Sequence, residues 1–273
     1  MTYQLPFMKM HALGNDFVII DTRDGDPKIS RKLIRHLSHR NCGIGFDQLA
    51  VINESSAADV ALTFFNSDGS ISGACGNATR CVARYEMDRL KRDELSLVTK
   101  RGVLRAQRQD GLVNVNMGHP LLKWSDIPLA KPIDTLSLPL DGTPTATGMG
   151  NPHCTFFVPD AEAIDIETVG PTIEKHPLFP ERTNVQIAHI IGKDHLRMRV
   201  WERGVGVTLA SGSSSCATAV AAIRLGLTGR AVKIELDGGQ IFIDWRKDGV
   251  WMAGASLHVF NGTLTEQFLE NIK

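Results

Sequence analysis

Short apolar stretches separated by glycine-rich turns run through the whole chain. Phe17–Ile20, Val60–Phe65, Thr155–Val158 and Leu196–Trp201 mix β-branched, aromatic and aliphatic residues over strand lengths, and they read as strands. Leu95–Val98 with Val103–Leu104, and Val232–Leu236 with Ile241–Ile243, are each split by a glycine turn and read as hairpins. The spacing changes between Ser30 and His39. There Leu33, Ile34 and Leu37 recur at helical intervals behind a serine suited to the N-cap. Two further helices are predicted directly after Ala74-Cys75-Gly76 and Ala210-Ser211-Gly212. The second, through Cys216–Ile223, carries no charge on any face, so it is expected to be buried.

These elements come in two similar sets. Leu13-Gly14-Asn15 matches Met149-Gly150-Asn151, and Ala74-Cys75-Gly76-Asn77 matches Ala210-Ser211-Gly212-Ser213, both at an offset of 136 residues. The same offset pairs Gln48 with Asn184 and Asn66 with Glu202. Asp110-Gly111 and Asp248-Gly249 repeat at an offset of 138, which marks a small insertion. The chain therefore reads as two similar halves, 1–118 and 119–262, with the tail 263–273 joining the first. Each half wraps strands around one internal helix, an α+β arrangement.

Composition narrows the function classes. The 30 Lys+Arg and 30 Asp+Glu residues balance, which removes any bulk attraction for nucleic acid or an anionic membrane. An apolar fraction of 42% is ordinary for a folded core, and no run approaches the ~20 residues of a membrane span. The first ten residues lack a basic segment followed by an apolar one, so a cytoplasmic protein is expected. The five cysteines, Cys42, Cys75, Cys81, Cys154 and Cys216, form no CxxC pair, and the histidines are scattered. Reduced thiols and no metal cage are expected.

Cys75 is the first candidate for chemistry. It precedes a helix start, where unpaired N–H groups favour a thiolate and can also hold a carboxylate. A small buried cysteine fits the spacing equally well. Ser211 is its counterpart in the second half. A two-fold-like site would set the two on opposite faces of one bound molecule, as a cofactor-free racemase or epimerase requires. Arg203 in Trp201-Glu-Arg-Gly-Val-Gly206 offers a fork for a second carboxylate, or a plain surface charge. Glu202 shares that ambiguity, and His153 is either an acid/base partner or a turn residue. The loop Asn41-Cys-Gly-Ile-Gly-Phe-Asp47 lacks the Lys-Ser/Thr ending of a phosphate-binding loop.

Taken together, Phe7–Phe17, Gly43–Gln48, Phe65-Asn-Ser-Asp-Gly69, Cys75-Gly-Asn-Ala-Thr-Arg-Cys81, Gly150-Asn-Pro-His153, Arg182-Thr-Asn-Val185 and Trp201–Gly206 resemble the diaminopimelate epimerase family along nearly the whole chain. The resemblance implies two pseudo-symmetric α+β domains, each a strand barrel around a central helix, with the amino-acid substrate in the cleft. It implies a homodimer in lysine and cell-wall precursor biosynthesis that uses neither pyridoxal phosphate nor metal. Cys75 would exchange the α-proton. Backbone N–H groups of Gly76, Asn77, Gly212 and Ser213 would hold the reacting α-carboxylate. Asn15, Asn66, Asn151, Asn184 and Arg203, with Gln48, would bind the substrate and its distal end. His153 and Glu202 would accompany the thiols and the α-amino group.

One position departs from the family pattern. Where the family has a second cysteine, this chain has Ser211, followed by Gly212-Ser213-Ser214. A hydroxyl is a far weaker acid than a thiol, and the sequence offers it no evident partner base except His153. Three readings follow: an introduced Cys→Ser change, a one-thiol relative with altered chemistry such as racemisation or elimination, or an amino-acid binder without turnover. Arg203 disfavours a racemase of monocarboxylates, because a buried guanidinium would be left unpaired.

Overall fold

The computed structural model describes residues 4–25, 27–73 and 75–272. The chain divides into two compact units, Met1–Val115 with Ala255–Lys273, and Asn116–Gly254. The first unit runs β1 (Leu5–Ala12), β2 (Asn15–Asp21), α1 (Arg31–Ser38), β3 (Gln48–Asn53), β4 (Val60–Asn66), β5 (Ile71–Ser72), α2 (Gly76–Leu90), β6 (Glu94–Thr99), β7 (Gly102–Gln109) and β8 (Leu112–Asn116). The second repeats that order: β9 (Thr145–Gly148), β10 (Pro152–Phe157), α3 (Ile166–Glu174), β11 (Asn184–Gly192), β12 (His195–Glu202), β13 (Gly206–Val207), α4 (Gly212–Arg224), β14 (Ala231–Leu236), β15 (Gly239–Arg246) and β16 (Gly249–Gly254). The chain then returns to the first unit through β17 (Leu257–Leu264) and α5 (Glu266–Glu270).

Pairing within each unit follows the same mixed plan, so the fold is α+β. In the first, β2–β3 and β4–β6 are parallel, while β1–β2, β3–β4 and β6–β7 are antiparallel. In the second, β10–β11 and β12–β14 are parallel, while β9–β10, β11–β12 and β14–β15 are antiparallel. The register keeps the 136-residue offset: Phe17 pairs with Gln48 as His153 pairs with Asn184. The first unit takes the chain back at Ala255 rather than at 263, because β17 pairs with β1 from Leu264↔Leu5 to Leu257↔His11.

Each unit wraps its strands against one buried helix. α2 packs on β1, β2, β3, β6 and β7, and α4 on β9, β10, β11, β14, β15 and β16. α4 buries every residue from Ser214 to Ala222, as expected for a helix without charge on any face. The shorter helices cover the outer side of the strands. Leu33, Ile34 and Leu37 of α1, capped by Ser30, pack with Val18, Ile20, Leu49 and Val51. Ile166 of α3 packs with Cys154, Val185 and Ile187. The turns entering β2 and β10 need Gly14 and Gly150, at φ 83° and 82°, a region that residues with a side chain rarely adopt.

Candidate active site

Both proposed acid/base positions are helix N-caps. Cys75 caps α2 with extended backbone, φ −147° and ψ 102°, and its Sγ accepts from Ala78 N at 3.3 Å. An N–H aimed at sulfur at a helix N-terminus favours the thiolate. Ser211 caps α4 at φ −134° and ψ 117°, but its hydroxyl does not bond to the helix. Gly76 and Asn77, and Gly212 and Ser213, open the two helices, so their N–H groups have no partner inside the helix. Ala74, the first residue of the repeated step, lies outside the described residues.

In the first unit the polar candidates form pairs. Asn77, 3% exposed, donates from Nδ2 to Asn15 Oδ1 at 3.1 Å, and Asn15 donates to Asp47 Oδ2 at 2.8 Å. Gln48, opposite Asn66 in the β3–β4 register, donates to Asn66 Oδ1 at 2.9 Å. An ion network braces this end. Lys9 meets Asp16 at 2.6 Å, and Arg40 bridges Asp16 and Asp47 at 2.9 Å each. Burial pushes the Asp16 carboxyl up, but hydrogen bonds and charge from Arg40 and Lys9 outweigh it and lower it to about 2.

The second unit is richer. Ser211 Oγ donates to Glu202 Oε2 at 2.8 Å, and Thr208 Oγ1 holds the other carboxylate oxygen at 2.7 Å. The expectation that only His153 could serve the hydroxyl is therefore corrected. The turn through Arg203–Val205 folds β13 back on β12, and Glu202 lies beside the start of α4 through Ser211. His153 is fully buried, with Nε2 2.9 Å from Asn151 Oδ1 and Nδ1 3.0 Å from Gln186 Nε2. Gln186 as donor makes Nδ1 the acceptor and leaves the proton on Nε2, facing Asn151. Asn151 Nδ2 in turn reaches Ser213 Oγ at 3.5 Å, the counterpart of the Asn15–Asn77 pair. Asn184 accepts from Arg203 N at 3.0 Å, and Arg203 Nη1 donates to Glu181 O at 2.8 Å.

Spacing did not reveal Thr208, Gln186 or Ser214. Gln186 and Ser214 join His153 and Thr155 in a buried polar cluster, with Gln186 donating to Ser214 Oγ at 3.0 Å and accepting from Thr155 at 3.0 Å. At the same offset the first unit has Phe17, Ile19, Ala50 and Ala78, all apolar and fully buried. Comparing the halves position by position would have exposed this asymmetry. Of the remaining thiols Cys42 is exposed and the other three are core. Cys81, Cys154 and Cys216 are buried, and burial pushes the Cys81 thiol up to about 12. Among the described residues no helix is long and apolar enough to cross a membrane.

Known proteins resemble this chain throughout. The family described as Diaminopimelate epimerase matches residues 7–123 and 145–259. A diaminopimelate epimerase of Rhodospirillum centenum is 49% identical over 271 residues, covering 96% of this chain and 93% of that protein. One from Gluconobacter oxydans is 48% identical over 262 residues, covering 95% and 98%. Among solved structures, a probable proline racemase from Agrobacterium radiobacter aligns with a TM-score of 0.70 at 15% identity, covering 96% of this chain and 93% of that one. A phenazine biosynthesis protein of the PhzF family from Bacillus anthracis aligns at 0.68 and 13% identity, covering 96% and 99%. Similarity at those identities shows the shared fold.

Proposed function

Because this chain belongs to the diaminopimelate epimerase family and is an amino-acid epimerase, we propose that it interconverts LL- and meso-diaminopimelate by proton transfer between Cys75 on one face of the α-carbon and a Ser211–Glu202 pair on the other. The observation that carries the reading is the hydrogen bond from Ser211 to Glu202, which gives the hydroxyl the partner that a thiol would need less. In one direction the α-C–H proton passes to Ser211 Oγ while the Ser211 proton passes to Glu202. The electron pair of the broken bond stays on the substrate, delocalised into its α-carboxylate, and Cys75 supplies its S–H proton to the opposite face. The reverse direction starts from the Cys75 thiolate. The N–H groups opening α2 and α4 hold the carboxylate where negative charge develops. Arg203, Asn15, Asn66, Asn151 and Asn184, with Gln48, take the remaining polar groups of the substrate. His153 holds Asn151 in one orientation.

The same reading makes the protein a cytoplasmic homodimer that serves lysine and peptidoglycan precursor synthesis without a cofactor. Ser211 also supports a second behaviour, α-proton exchange on the Cys75 face outpacing inversion. The test compares conversion of LL-diaminopimelate by this chain and by Ser211→Cys under reducing conditions. A positioned acid or base contributes ~10²–10⁴ in rate, and the thiol should recover part of that range with affinity nearly unchanged. Equal rates would mean that the group at position 211 does not limit turnover, and the expected handicap of the hydroxyl would fall.

A further inference from the structure

We propose that Glu174, at the C-terminal end of α3, is a positioning residue that sets the direction of Arg203 and with it the grip on the distal end of the substrate. The inference rests on the reading of Arg203 as a substrate-binding residue. Glu174 is 3% exposed, and its partners bracket the Glu202–Arg203 dipeptide. Oε2 accepts from Trp201 Nε1 at 2.7 Å, and Oε1 accepts from Gly204 N at 3.0 Å. One carboxylate thus holds the residue before and the residue after the dipeptide.

The same residue, through its carboxylate and its backbone carbonyl, ties in the segment that touches the guanidinium. Arg182 Nη1 lies 3.6 Å from Glu174 Oε1, and Thr183 N donates to Glu174 O at 3.2 Å. Glu181, next to Arg182, offers the carbonyl that Arg203 Nη1 meets, and Asn184 accepts from Arg203 N. Two chain segments that fix Arg203 therefore converge on one buried carboxylate.

Helix geometry explains why Glu174 can do this. Gly170 lies four residues earlier on the same face, and a Cβ there would sit 2.5 Å from the Trp201 ring. The missing side chain lets the indole pack closely against α3, and the carboxylate one turn later receives its N–H. The first unit uses α1 at the corresponding place in a different way. Ser38 Oγ donates to Ser67 O at 2.9 Å and Arg35 Nε to Asp68 O at 2.9 Å. In that unit the helix end holds the turn after Asn66 by its carbonyls, and no charged substrate ligand follows.

The test is a double-mutant cycle between Glu174→Gln and Arg203→Lys, read by calorimetry with an equilibrated LL/meso diaminopimelate mixture. Glutamine keeps the shape but turns an amide NH2 toward one of two N–H donors, so one contact is lost. Glu174→Gln alone should weaken binding on the order of tenfold, and in the Arg203→Lys background it should add less than about twofold, the non-additivity of two residues acting as one unit. Unchanged affinity in Glu174→Gln, or the same loss in both backgrounds, overturns the proposal by making Glu174 merely structural. Wild-type affinity in Arg203→Lys alone instead removes Arg203 from the site, a separate failure of the reading beneath it. If Glu174→Gln does not fold, Trp201→Phe, which removes the indole N–H together with one ring of the indole, must show the same non-additivity with Arg203→Lys; additive loss there also overturns it.

Discussion

Ser211 and Cys75 occupy equivalent caps, yet their side chains are used differently. The sulfur of Cys75 takes an N–H from its own helix, while the hydroxyl of Ser211 turns to Glu202. A hydroxyl needs a carboxylate to accept its proton, so the direction of Glu202 matters more here than it would beside a thiol. Thr208 sets that direction by holding the second carboxylate oxygen. Thr208→Val keeps the shape and removes the bond. Turnover should fall by ~10-fold, within the ~10² that a displaced reacting group can cost, and Thr208→Ser should restore most of it. A kcat unchanged in Thr208→Val would show that Glu202 is held without it.

At the scale of elements, the repeated strands, hairpins, α1 with its Ser30 cap, and the two buried helices were legible from spacing. Their period and their turns are local signals. α3 was not, because Gly170-Pro171 inside Ile166–Glu174 reads as a break. The bond from Glu174 to Trp201 crosses 27 residues and leaves no trace in local pattern. The close contact at Gly170 yields a direct prediction. Gly170→Ala should drive the Trp201 ring off α3 and lower stability by ~1–3 kcal/mol, the usual cost of overpacking. A melting temperature equal to wild type in calorimetry would contradict that packing. The ends of β1 and β2 carry a second one. Asp16 sits at about 2, below its ordinary 3.8, so its stabilisation is complete above about pH 4 and is lost as pH falls through about 2. In Asp16→Asn, acid unfolding between pH 4 and 2 should be shallower than in wild type. Identical acid profiles would show that the Lys9–Asp16–Arg40 network adds nothing.

For the whole molecule, the 136-residue offset was visible in a few glycine and asparagine steps, and it recurs in strand order, register and capping. What the repeat could not disclose is where the halves differ. His153, Thr155, Gln186 and Ser214 form a polar cluster where Phe17, Ile19, Ala50 and Ala78 pack as hydrocarbon. Ser211 bonded to Glu202 stands where Cys75 accepts a helix N–H. One half thus sets a thiol against a helix N–H, the other a hydroxyl against a carboxylate. Incubation in deuterated water with LL- or meso-diaminopimelate, followed by mass spectrometry, tests that division most directly. The account predicts deuterium at the reacting α-carbon and formation of the other stereoisomer, with inversion abolished in Cys75→Ala and slowed in Glu202→Gln. Inversion that persists in Cys75→Ala, or that is indifferent to Glu202→Gln, would contradict it.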